Sequence, residues 1–141
     1  MTCLDITAPL IDEAYLNIVS ESYFGIDKLF LTEKVFKPIS IGQPFIVVGC
    51  KGTLKKLQEM GYYTFADYIN EDYDMIEDEY ERIDAIKKEL RRLTNMPFDE
   101  FKDLMSKCYQ QSKKNINTLY LRCNQHTTYQ ELSNELKNWI N

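Results

Sequence analysis

The chain is poor in histidine, the commonest metal ligand and general base among side chains. It has a single histidine, His126, among 141 residues. The stretch "CNQH" sets Cys123 three positions ahead of it, as half of a zinc site would, but no second close Cys or His pair follows. A Ser-His-Asp or Cys-His centre would have to use the same histidine, in a polar stretch where nothing marks a nucleophile. No G-x-x-x-x-G-K-[ST] spacing is present, which excludes a Walker loop. The acidic run at 71–81 lacks the spaced ligands and glycine of a calcium loop. No metal and no tightly held cofactor is therefore expected.

Other absences bear on setting and partners. No apolar run approaches the roughly 18–20 residues of a membrane span, and "MTCLDITAPL" lacks the basic start and apolar middle of a signal peptide. The four cysteines, Cys3, Cys50, Cys108 and Cys123, are widely spaced, and there is no Asn-x-Ser/Thr acceptor. Together these point to a cytoplasmic, reducing setting with free thiols, although the sequence leaves two bridges open. The 17 Lys and Arg are scattered among 22 Asp and Glu, for a net charge of −5, which argues against a nucleic-acid footprint. A pocket for a small anion stays open, because local charge can oppose net charge.

What is present suffices for a folded domain. Apolar residues make up 44% and aromatics 13% of the sequence, enough to bury a core in a chain of one-domain length. "AYLNIVSES" (14–22) reads as a strand carried by Leu16, Ile18 and Val19. "YFGIDKLF" follows as a short loop containing Gly25 and Asp27. Thr32 is a helix N-cap, and the helix runs to about Ile41 with Val35, Phe36 and Ile39 on one face. Pro38 should kink or shorten it, and Gly42 should close it. "PFIVVG" (44–49) is β-branched without polar alternation, the mark of a strand buried on both faces of a parallel sheet. The connection between the two strands is long enough for a right-handed β-α-β crossover.

Further along, Thr53 is a second expected cap, for a helix bearing Leu54, Leu57 and Met60 and ended by Gly61. "YYTF" (62–65) is compatible with a third short strand. Seven of the eleven residues in "EDYDMIEDEYE" (71–81) are acidic, which fits a solvated loop or helix start. Tyr80, Ile83, Ile86, Leu90 and Leu93 recur at helical spacing and predict an amphipathic helix over 79–94. Pro97 begins another, with Phe98, Phe101, Leu104, Met105, Cys108, Ile116 and Leu119 inward. "TYQE" (128–131) is a capping box for a last helix with Tyr129, Leu132, Leu136, Trp139 and Ile140 buried. Tyrosines 62, 63, 68, 73 and 80 read as packing and rim residues. The expected fold is α/β: a small Rossmann-like parallel sheet flanked by helices over 1–94. A helical extension over 95–141 packs on it as one compact domain.

Ligands of open parallel sheets collect beyond the carboxyl ends of the strands. Two junctions qualify, Glu21 to Lys34 and Gly49 to Thr53. At the first, Thr32 opens a helix whose N-terminus suits a phosphate. Lys34 would add a full charge there, and Glu33 could accept from ribose hydroxyls. At the second, Gly49 and Gly52 would admit a close ligand, with Lys51 between them as another cation and Thr53 opening the next helix. A plainer reading stands beside this one: Glu33 and Lys37 are four apart in the order that favours a surface ion pair. The Gly49–Thr53 loop is likewise an ordinary strand-to-helix turn.

The stretch "YLNIVSESYFGIDKLFLTEKVFKPISIGQPFIVVG" resembles the donor-binding half of GT-B glycosyltransferases, especially the fucosyltransferase type. Its strand ends in an acidic residue and leads through a loop to a Thr-Glu-Lys helix start, a Gly-x-Pro turn and an apolar strand ending in Gly. The likeness covers about residues 14–93. The same stretch, continued by "GYYTFADYINEDYD", also resembles small uncharacterised proteins of large phages and viruses, which would place it in a host cytoplasm or a virion. The first resemblance implies that Glu33 holds the donor ribose and Lys34 neutralises the nucleotide diphosphate, with Glu21 close by. It implies hexosyl transfer from a nucleoside-diphosphate sugar, with phosphate neutralisation assisting departure of the nucleotide. It also implies a second α/β domain or protein partner, because the family's general base lies on the acceptor side. The basic residue that the family brings to the diphosphate from an earlier strand has no counterpart here. The second resemblance implies a different class, a structural or interaction protein that keeps the donor-domain fold without catalysis.

Overall fold

The computed structural model describes residues 14–24 and 29–125. Among these, the chain forms a mixed α/β unit in which two parallel strands lie among four helices. Strand β1 is Asn17–Ser20 and strand β2 is Phe45–Val48, in register from Asn17 opposite Phe45 to Ser20 opposite Val48. Both are shorter than their apolar stretches. The Pro44 carbonyl and the Glu21 amide still extend the ladder at its two ends, each through a 2.9 Å bond. Phe45, Ile46 and Val47 are all buried, as the unbroken apolar run of β2 predicts. β1 instead alternates: Val19 is buried and Ile18 is 56% exposed, so Ile18 is not the core residue expected from its apolarity.

Helix α1, Glu33–Ile41, connects the strands. The Thr32 hydroxyl accepts from the Lys34 amide at 3.2 Å, the N-cap bond expected of that residue. Pro38 lies inside the helix, buried beside Val35 and Ile39. Gly42 ends it at φ 66°, and the next amide, that of Gln43, reaches back to the Pro38 carbonyl at 2.9 Å. The left-handed conformation at Gly42 is one that a Cβ would strain.

Helix α2 is Thr53–Glu59, helix α3 is Glu79–Thr94, and helix α4 is Phe98–Gln125. A short 3-10 turn, Asp72–Met75, breaks the acidic run. "YYTF" forms no strand. The Asn115 side chain of α4 takes the neighbour's part, accepting from the Tyr63 amide at 2.7 Å and donating to its carbonyl at 3.0 Å. Gln111 adds a bond to the Thr64 carbonyl. A side-chain amide thus satisfies a backbone that would otherwise need a third strand.

Two helix faces differ from the sequence pattern. The buried residues of α3 are Arg82, Ile86, Glu89 and Leu93, whereas Tyr80 is 80% exposed. On α4 the buried line is Met105, Cys108, Ser112 and Asn115; Phe98 is 63% exposed, and Ile116 is also exposed. The reason is shared: these faces bury polar side chains that bind backbone, so apolarity alone points to the wrong angle. α4 packs on α1, with the Ser112 hydroxyl donating to the Gly42 carbonyl at 2.6 Å. The core unites β2, α1, α2 and the inner faces of α3 and α4. No helix among the described residues is long and apolar enough to cross a membrane. Cys3, His126, the capping box at 128–131 and the last helix expected after it lie outside the described residues.

Candidate functional site

The carboxyl ends of β1 and β2 bring together the two junctions singled out above. After β1 come Glu21 and Ser22; beside them α1 begins; after β2 come Gly49 and Cys50. Glu21 is buried, and its carboxylate accepts from the Thr32 amide at 3.3 Å and from the Thr32 hydroxyl. It therefore ties the end of β1 to the start of α1. Thr32 passes the connection on, because its hydroxyl oxygen also holds the Lys34 amide.

Glu33 and Lys34 face outward from this frame. The Lys34 ammonium donates to the Ser22 hydroxyl at 3.0 Å and to the Glu33 carboxylate at 3.3 Å. Both side chains keep solvent contact, at 38% for Lys34 and 52% for Glu33. The Glu33 carboxyl is held below its ordinary range, first by its own backbone N–H at the helix start and then by Lys34. The surface pair considered for Glu33 and Lys37 is not formed; Glu33 turns to Lys34 instead, and Lys37 adds only a distant charge.

The second junction is arranged differently. Gly52 has φ 80° and stands at the N-cap of α2, while the Thr53 hydroxyl donates to the Cys50 carbonyl at 2.7 Å. Thr53 is thus the first helical residue rather than the expected cap. The helix start is closed by Asp74, whose carboxylate accepts from the Leu54 amide at 2.8 Å and the Lys55 amide at 3.0 Å. Its backbone carbonyl takes the Gly52 amide at 2.8 Å. A carboxylate of the chain itself occupies the place where a phosphate would sit. Burial still pushes the Asp74 carboxyl up, against those two amides. Lys51 pairs with Glu77 at 2.6 Å on the surface. A Cβ on Gly49 would lie 3.3 Å from Thr53 Oγ1 and Val47 Cγ1 and 3.4 Å from Glu21 Cβ, so that glycine accommodates the protein's own side chains.

Two residues of this region were missed in the sequence. Asp74 sits in the acidic run, which reads as solvated. Arg82 lies on α3 and is 2% exposed, with its Nε donating to the Gly49 carbonyl at 3.1 Å. The spacing 82, 86, 89 and 93 is itself helical and would have placed Arg82 on the face of Ile86 and Leu93.

An open groove of about 1090 Å³ runs between α2, the 66–75 segment and α3, sharing Leu54, Lys55 and Asp74 with the second junction. Its lining mixes Lys55, Lys88 and Arg92 with Asp67, Asp72 and Glu71. Glu71 accepts from the Phe65 amide at 2.7 Å. Burial pushes its carboxyl up to about 7, against that amide and the Thr64 hydroxyl. Nearby, the Tyr73 hydroxyl is sealed from water with no hydrogen-bond partner, and burial raises its pKa. The Cys108 thiol is pushed up to about 12 by burial, which makes it an inert packing residue. No group of three or more potential metal ligands occurs among the described residues.

Comparison with protein-family models, curated protein sequences and solved structures finds no match for this chain.

Proposed function

We propose that the chain is a sugar-nucleotide-binding, Rossmann-like domain of the glycosyltransferase type. Its ligand is a nucleoside-diphosphate sugar held at the carboxyl edge of β1 and β2, for hexosyl transfer to an acceptor bound by a second α/β domain or partner. The observation that carries this reading is the placing of Lys34. Its ammonium stands at the edge where parallel sheets present ligands, on the first turn of a helix, with only a neutral hydroxyl and a half-exposed carboxylate around it. A diphosphate would exchange those weak partners for two charges. Glu33 adjoins it as an acceptor for ribose hydroxyls. Glu21 and Thr32 act from beneath, by holding the helix start in place.

A second reading draws on a different observation. Asp74 fills the anion position at α2, and Lys51 is paired with Glu77, so the Gly49–Thr53 loop is internally satisfied. That favours a non-catalytic interaction protein with a donor-type fold, as the likeness to phage and viral proteins implies.

Calorimetry with GDP, UDP and their sugars separates the two. The glycosyltransferase reading expects binding in roughly the millimolar range or tighter, weakened about tenfold by Lys34→Ala. A folded protein that is silent across the panel would leave the interaction reading.

A further inference from the structure

Charge is unevenly spread along this chain. Residues 104–125, the greater part of α4, hold Lys107, Lys113, Lys114 and Arg122 and no acidic residue, in a chain of net charge −5. The run 71–81 is the opposite, with seven acidic residues and no basic one. Local pairing neutralises only part of either patch. Lys107 pairs with Asp103 at 2.7 Å, and Glu77 with Lys51 at 2.6 Å. Lys113 and Lys114 instead lie over the Tyr109 and Tyr63 rings, at 4.7 and 5.0 Å from the centroids. Asp72, Glu79 and Glu81 are exposed, and none of them joins an ion pair among the described residues. Each patch also exposes apolar side chains. Tyr109, Ile116, Tyr120 and Leu121 are exposed on α4, Tyr120 at 67%; Met75 and Tyr80 are exposed in the acidic run. Aromatic and apolar side chains rimmed by charge are the usual make-up of a contact surface.

Within one molecule the two patches adjoin opposite ends of α2. The acidic run closes its start, where Asp74 holds the Gly52, Leu54 and Lys55 amides and Glu77 meets Lys51. The basic patch adjoins its far end: Arg122 donates to the Met60 carbonyl at 2.9 Å, and the Thr118 hydroxyl to the Gly61 carbonyl at 3.3 Å. The helix between them, Thr53–Glu59, is about 10 Å long. No ion pair joins the two patches among the described residues, so the opposite charge that each lacks is available on a second copy.

We propose that the chain associates head to tail, the basic, aromatic face of α4 on one copy taking the acidic 71–81 segment of the next. Charge complementarity makes the chain its own partner. Pairing α4 with α4, or run with run, sets like charges against each other, and only the crossed pairing opposes them. Exposed ion pairs contribute little by themselves, so the apolar area of Met75 and Tyr80 on one side and Tyr120 and Leu121 on the other is needed as well. Such a contact is heterologous: it closes into a ring or continues as a chain according to the rotation between neighbours.

The test is analytical ultracentrifugation of the full chain. Its average mass should rise with concentration over roughly 0.01–1 mM, the range of small transient contacts, and fall with added salt. Lys113→Glu with Lys114→Glu makes both surfaces acidic, and Glu79→Lys with Glu81→Lys makes both basic. Each double variant should stay monomeric where the unaltered chain associates, and an equimolar mixture of the two should associate again, because the crossed contacts are restored. A monomer throughout that range overturns the proposal. So does association that survives salt and both double variants, since another surface then carries it. Loss in both variants without rescue in the mixture, with urea midpoints showing both folded, overturns the pairing of these two patches. Glu79 and Glu81 stand in the first turn of α3. Should their double variant fail to fold, Tyr80→Ala replaces it and should weaken association about tenfold. An unchanged association in Tyr80→Ala overturns docking through the acidic run.

Discussion

The two helix starts that follow the two strands look alike in sequence and are used in opposite ways. Each has a threonine at the junction, a lysine nearby and a loop behind it. At α1 the threonine is the cap, a buried glutamate secures it from below, and the lysine projects outward. At α2 the threonine is inside the helix, and a carboxylate from twenty residues downstream closes the end. An N-terminus of a helix attracts an anion in either case. The difference lies in where the anion comes from. α2 takes one from its own chain and becomes a structural joint. α1 keeps its acid one layer down and leaves a cation at the surface.

That contrast can be tested from its strongest element to its weakest. Glu71 anchors the segment that carries Asp74, since its backbone carbonyl accepts the Asp74 amide at 3.0 Å. Its folded pKa, about 7, lies above the 4.5 of an unperturbed glutamate. The folded state thus binds this proton more tightly. The resulting stabilisation is fully present below about 4.5 and is lost as pH rises through about 7. It is on the order of 3 kcal/mol at one unit per 1.36 kcal/mol. Urea midpoints should fall between about pH 5 and pH 8, and Glu71→Gln should flatten that slope. An unchanged slope in the variant would remove Glu71 as its source.

Asp74→Ala comes next. It strips two amides of α2 of a buried carboxylate and should cost about 2 kcal/mol in urea unfolding, with Asp74→Asn costing less. Thr32→Ala, at the other helix start, should cost about 1 kcal/mol and leave Glu21 without its hydroxyl donor. If Thr32→Ala proved the more damaging, the assignment of joint and site would have to be exchanged. Lys34→Ala should leave the unfolding midpoint unchanged while lowering nucleotide affinity, because exposed ion pairs contribute little to stability.

Much of α1 was legible because its signals are local. Thr32, Pro38 and Gly42 act within a turn of where they stand, through a cap bond, a missing N–H and a left-handed φ. The parallel pairing of β1 and β2 followed from the apolar run and the length of the crossover. Asp74 and Arg82 were missed, although the spacing of 82, 86, 89 and 93 marks Arg82, because each serves backbone distant in sequence, at Leu54 and Lys55 or at Gly49. Asp74 was hidden in a run whose composition says solvent, and Arg82 in a helix whose charge pattern says surface. The same holds for the apparent strand at 62–65, which has strand chemistry but pairs with a side chain. Where a polar residue is buried to serve a distant backbone, hydrophobic periodicity assigns it to the wrong face.

Asn115 also matters before the fold is complete. The Tyr63 amide and carbonyl that it satisfies lie 52 residues upstream. At about 5–20 residues per second, a ribosome makes that span in roughly 3–10 s. Until α4 is made, the Tyr63 amide and carbonyl have only water as a partner. The arrival of α4 ends the exposure. Asn115 thus supplies, late in the chain, two backbone bonds that the 62–65 segment cannot make for itself.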